Sequence, residues 1–80
     1  MIAADAVREA VRNSGRSMIS ISVSMGVNAN YVAKLVARGG SPKVDTIASI
    51  AEECGYRLAM VPEAEVSESD IVIDGRKSKI

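Results

Sequence analysis

Asn28, Asn30 and Lys34 carry amide and ammonium groups that can pair with the hydrogen-bond edge of another molecule. An Asn amide can pair bidentately with adenine N6/N7, and a Lys ammonium with guanine O6/N7. Between the two asparagines stands Ala29, whose methyl can meet a thymine methyl. Around them lie groups suited to phosphate oxygens: Arg16, Ser17, Tyr31, Arg38, Ser41 and Lys43. Asn28 also reads as a helix N-cap, its side-chain oxygen placed for the amides of a first turn.

Other chemistry is poorly provided for. The chain has no His and a single cysteine, Cys54. It lacks a Cys-x-x-Cys pair, a Gly-rich phosphate loop and a convincing carboxylate pair, and its serines have no visible base. We therefore expect no catalytic residue, no metal ligand set and no cofactor. Cys54, in the run AEECGY, reads as a buried structural thiol, which suits a reducing, cytoplasmic setting. Met1 is followed by alternating apolar and charged residues, so no secretory leader is expected, and no apolar run approaches a membrane span.

The elements that must position these groups can be read from apolar spacing. Ala6, Val7, Ala10 and Val11 predict a core-facing helix over residues 3–13, ended by Ser14-Gly15. Residues 17–25 are ambiguous. Ile19, Ile21 and Val23 alternate with Ser20, Ser22 and Ser24, which is a strand pattern. A helix is preferred there because Gly26-Val27 and the following helix need one before them. That choice leaves Ile19 and Val23 as apolar residues on a polar face. Val32 and Leu35, at i and i+3, predict a helix over residues 28–37, with Asn28, Ala29, Asn30, Ala33, Lys34 and Ala37 on its solvent face. Ile47, Ala48, Ile50 and Ala51 predict a last helix over residues 44–54, with Gly55 as its cap. Beyond it, Tyr56, Leu58 and Met60 alternate with Arg57, Ala59 and Val61, and DIVID is a second β-rich run. Residues 56–61 and 71–73 are thus expected as two strands, most simply a hairpin.

Eighty residues make one small domain near the lower limit for a self-sufficient core. With no Phe or Trp, that core must be built from Ala, Val, Ile, Leu and Met. The zero net charge hides a partition. Residues 1–40 carry Arg8, Arg12, Arg16, Lys34 and Arg38 against Asp5 and Glu9. Residues 63–75 carry Glu63, Glu65, Glu68, Asp70 and Asp74 with no base, and Arg76, Lys77 and Lys79 follow. Arg8 and Arg12 read as the solvated face of the first helix.

The Gly26-centred spacing resembles the lambda-repressor-like helix-turn-helix family, also called the Cro/C1 or XRE type. Ile21-Ser22 stand where the family has Leu-Ala, Gly26 is the turn glycine, and Val32 and Leu35 are the inward residues of the reading helix. Arg38-Gly39-Gly40-Ser41-Pro42 resembles the link into the next helix, and Ile47, Ile50, Ala51 and Cys54-Gly55 resemble the closing helix. Two departures are Ser22 in place of a small apolar residue and Met18 in place of a phosphate-contacting Gln. The hydroxyl of Ser22 then needs a partner, such as a backbone carbonyl one turn back.

The resemblance implies a mainly α, four-helix domain over residues 1–55. After it would come a β-extension over 56–74, as hairpin or dimerising strands, and a tail over 75–80. It implies a transcriptional regulator that binds double-stranded DNA. Asn28, Ala29, Asn30 and Lys34 would be at base edges, with the phosphate candidates named above around them. It also implies a homodimer with reading helices roughly 34 Å apart. Tyr56, Leu58, Met60, Ile71 and Ile73 are the expected dimer surface. The alternative is a protein-interaction module, such as an antitoxin-type partner, using the acidic segment.

Overall fold

In the computed structural model, which describes residues 1–75, four helices pack around one apolar core. They are α1 (Ala3–Ser14), α2 (Met18–Ser24), α3 (Tyr31–Arg38) and α4 (Val44–Glu53). A single 3-10 turn, Glu63–Glu65, follows. α2 packs on α3, α1 lies across α3 and α4, and α2 also touches α4. The core joins Val7, Ala10 and Val11 of α1 to Ile21, to Val32, Leu35 and Val36 of α3, and to Ile50 and Cys54. Burial pushes the Cys54 thiol above its ordinary pKa, against the opposing pull of the Ser14 hydroxyl and Arg16.

α1 forms where the stripe predicted it, and Gly15 caps it in the left-handed region. Ser14 then turns the chain: its Oγ donates to the Val11 carbonyl (2.6 Å) and accepts from the Arg16 amide (3.0 Å). α2 begins at Ser17, whose hydroxyl accepts from the Ser20 amide at 3.0 Å. The strand-like alternation of α2 is resolved by packing. Ile21 and Ser22, neighbours in sequence, are both fully buried, while Ile19 and Val23 stand 56% and 60% exposed. Consecutive burial suits a helix and not a strand, whose neighbours point to opposite faces.

α2 ends in a Schellman turn. The Gly26 amide donates to the Val23 carbonyl (3.0 Å) and the Val27 amide to the Ser22 carbonyl (3.2 Å). Gly26 adopts φ +80°, where a β-carbon would be strained even with open space around it. The same pair of bonds closes α4, from Gly55 to Glu52 and from Tyr56 to Ala51.

The expected C-terminal hairpin does not form: among the described residues there is no strand. No backbone hydrogen bond joins residues 56–61 to 71–73. The chain between them passes through Pro62, the 3-10 turn and a second turn closed by Ser67 and Asp70. That connection is too long and too irregular for a tight hairpin turn to set a register. Met1 takes the place of the missing strand. Its amino group donates to the Val72 carbonyl (3.1 Å) and pairs with the Asp74 carboxylate, and the Asp74 amide donates to its carbonyl (2.9 Å). Tyr56 and Ile71 pack against the chain's own core, whereas Leu58, Met60 and Ile73 are exposed. Residues 76–80 of the expected tail lie outside the described residues.

The hydroxyl of Ser22 joins the two short central helices. It donates to the Met18 carbonyl at 2.8 Å and accepts from the Val32 amide at 3.1 Å. Ser22→Ala should leave that buried amide without a partner and cost about 1–2 kcal/mol of unfolding free energy. Urea denaturation of the two proteins is the check, with the loss seen in the midpoint and not in the m-value.

Candidate nucleic-acid interface

The helix that carries the candidate reading residues has one buried and one open face. Val32, Leu35 and Val36 are buried, and Ala33, Lys34, Ala37 and Arg38 face outward. The regular helix begins later than the spacing predicted, at Tyr31 in place of Asn28. Residues 28–30 form a tight entry turn instead. Asn28 Oδ1 accepts from the Asn30 amide at 2.8 Å, and the Asn28 carbonyl accepts from the Tyr31 amide at 2.9 Å. Asn28 is therefore not the N-cap of α3, a position that falls to Asn30; its side chain closes the turn before the helix. Asn30 makes no capping bond with its side chain, which is left exposed beside Lys34 one helical turn on.

Four of the six phosphate candidates converge. Tyr31, Arg38, Ser41 and Lys43 line one open hollow of about 370 Å³, together with Leu35, Gly40, Pro42 and Thr46. The hollow exists because Gly39, at φ +66°, ends α3 and the following loop carries the chain back past that helix before α4. Tyr31 is half-buried and packs on the core, so its ring is anchored there. Thr46, one turn into α4, also lines the hollow and was not singled out from the sequence. A hydroxyl there carries no pattern of its own, and only the packing of α4 brings it to this wall.

The other two candidates are engaged within the chain. Ser17 is the N-cap of α2, although its hydroxyl proton has no acceptor among the described residues. Arg16 is a clamp. Its Nε and Nη2 donate to Ser20 Oγ at 3.1 and 3.0 Å, and Nη2 also reaches Ser24 Oγ at 2.7 Å. Its Nη1 donates to the Glu53 carbonyl at 3.0 Å and to Glu53 Oε1 at 3.2 Å. One guanidinium thus ties α2 to the end of α4 through most of its fork.

The cations divide by partner. Arg8 pairs with Asp5, Arg12 with Glu9 and Arg16 with Glu53. Lys34, Arg38 and Lys43 pair with no carboxylate among the described residues, and all three are exposed on or just after α3. Between residues 10 and 51 the sequence holds a single carboxylate, Asp45. No group of three or more metal-ligating side chains gathers among the described residues, and no helix there is long and apolar enough to cross a membrane. Compared with protein families, with curated proteins and with solved structures, the chain finds no match.

Arg16→Ala should lower stability by about 1–2 kcal/mol, because it breaks the clamp between α2 and α4 and frees the Glu53 carbonyl. Lys34→Ala should stay within about 0.5 kcal/mol of the parent. Thermal and urea melts of the two variants separate the structural arginine from the open lysine.

Proposed function

We propose that this chain is a sequence-specific double-stranded DNA-binding transcriptional regulator of the lambda-repressor-like helix-turn-helix kind, with α3 entering the major groove. The observation that carries this reading is the sorting of charge. Every cation of the four-helix unit without an ion-pair partner among the described residues lies on α3 or on the loop that leaves it, while the cations of α1 and the α1–α2 turn are neutralised within the chain. An exposed helix face with unpaired cations at its end is what a groove lined by phosphates attracts.

The roles follow from position. Asn28, Ala29 and Asn30, at the entry of α3, and Lys34, one turn further, meet base edges. Adenine suits the asparagines, guanine the lysine and a thymine methyl Ala29. Tyr31, Arg38, Ser41 and Lys43 hold a phosphate over the hollow they share, and Ser17 offers its hydroxyl proton to the opposite strand. The alanines at 33 and 37 let the helix approach the groove floor closely but add few specific bonds, so affinity per chain is modest.

Fluorescence anisotropy on duplexes selected from a randomised pool, across a salt series, tests this. Selected duplexes should bind at least tenfold tighter than the pool. Asn30→Ala/Lys34→Ala should abolish that preference with little change in salt dependence beyond the loss of one charge. Arg38→Ala/Lys43→Ala should weaken all duplexes alike and flatten the log–log salt slope by about 1.8. A folded protein that shows no preference for any duplex at any salt sinks the proposal.

A further inference from the structure

Between the helices and the segment that follows them lies an open cleft of about 180 Å³. Its floor is apolar, made by Val7 and Ala10 of α1 and by Ile47, Ile50 and Ala51 of α4. Leu58 and Ile71 stand among its walls, on two stretches that no backbone hydrogen bond joins. The cleft shares no lining residue with the hollow beside α3. An apolar cleft with a few polar groups at its mouth, walled by chain that no ladder holds shut, has the character of a ligand site.

Two charged side chains complete the lining, Arg57 and Asp70. Both are exposed, and they do not pair with each other. Arg57 makes no hydrogen bond and no ion pair among the described residues. Asp70 accepts the Ser67 amide at Oδ2 (2.9 Å), and its Oδ1 accepts nothing among the described residues. The lining thus offers an open guanidinium, an open carboxylate oxygen and an apolar floor.

We propose that this cleft binds a free apolar α-amino acid, its side chain on the floor, its carboxylate at Arg57 and its ammonium at Asp70. The assignment does not rest on the DNA-binding reading. A fatty or aromatic acid would satisfy Arg57 but bring a second negative charge to a cleft that already holds Asp70. An apolar amine would meet the same conflict at Arg57. A zwitterion answers both charges, and the arginine fork suits a carboxylate in particular. Size agrees: an apolar cavity of about 150 Å³ takes up benzene, so this cleft has room for one benzyl or branched aliphatic side chain. Because Arg57 and Asp70 are exposed, the charged head of the ligand stays at the wet rim, and no ion has to be fully desolvated. Affinity is then modest and comes mostly from the buried side chain.

Titration of the full chain with L-phenylalanine, without DNA and followed by proton–nitrogen correlation NMR, is the experiment. Binding should saturate by the millimolar range, with the largest shifts at residues 50–51, 57–59 and 70–71. L-Alanine has the same head but little to place on the floor, and should bind at least tenfold more weakly. N-Acetylphenylalanine lacks the ammonium and phenylalaninamide lacks the carboxylate, so each should lose about fivefold. Arg57→Gln should weaken phenylalanine about fivefold without weakening phenylalaninamide. Asp70→Asn should weaken phenylalanine by a similar factor without weakening N-acetylphenylalanine, and its amide oxygen can still accept from Ser67. Unchanged circular dichroism and Tm show that both variants are folded, as expected for exposed side chains outside the core. The absence of saturable shifts, shifts that map elsewhere, or charge variants that bind phenylalanine as the parent does would each overturn the proposal. Blocked forms that bind as tightly as the free amino acid would overturn it too, the acetylated one by assigning the cleft to the end of a peptide.

Discussion

The Ser22 hydroxyl is the contact on which the rest of the structure depends. α2 has seven residues and α3 eight, lengths at which neither helix persists alone in water. Their stability has to come from each other. Ser22, fully buried at their contact, spends its proton on the Met18 carbonyl and its lone pair on the Val32 amide. That amide belongs to the first turn of α3, where no intrahelical acceptor exists. One hydroxyl thus satisfies an orphan donor and sets how close the two helices approach. A larger side chain would not fit a fully enclosed position, and an apolar one of the same size would leave the amide bare. Because α3 is held there, Val32, Leu35 and Val36 turn inward and Lys34 turns out.

Electrostatics then follows from packing. A chain with no net charge offers little reason to expect an anionic partner. Folding neutralises part of that charge and leaves part open. The guanidinium of Arg16 is consumed in joining α2 to α4, and those of Arg8 and Arg12 are answered three residues back on α1. What is left on the α3 side is Lys34, Arg38 and Lys43. The carboxylates of the acidic stretch sit on the segment after α4, beyond Pro62. Exposed surface ion pairs contribute little stability, so the value of this arrangement lies in where the unanswered charge remains.

Much of the helical unit was legible. The stripe of Ala6, Val7, Ala10 and Val11 has the 3.6-residue period that allows one outcome, and all four are buried. Gly15, Gly26, Gly39 and Gly55 mark helix ends because each adopts a positive φ there. The strand-like run around Ile21 was not legible by itself. Alternation and helical spacing compete over so few residues, and the decision falls to the partner surface offered by α3. The role of Arg16 was equally hidden, since its acceptors on Glu53 are distant in sequence. The C-terminal runs have strand composition, but composition supplies no partner, and residues 71–74 find Met1 instead of residues 56–61.

By itself the sequence determined α1, α3 and α4, their approximate ends and most of the residues that face inward on them. Those properties come from periodicity and capping, which act within a turn or two. Tertiary structure settled the helix that the sequence preferred for α2 against its strand-like alternation, and it alone decided that the Ser22 hydroxyl accepts from the Val32 amide of α3 and that Arg16 is a clamp. It also decided that Tyr31, Arg38, Ser41 and Lys43 share one hollow, and that residues 57–61 make no backbone hydrogen bond among the described residues. Each of these depends on groups far apart in sequence, whose meeting is set by how the helices pack and by which backbone groups are left over once they have.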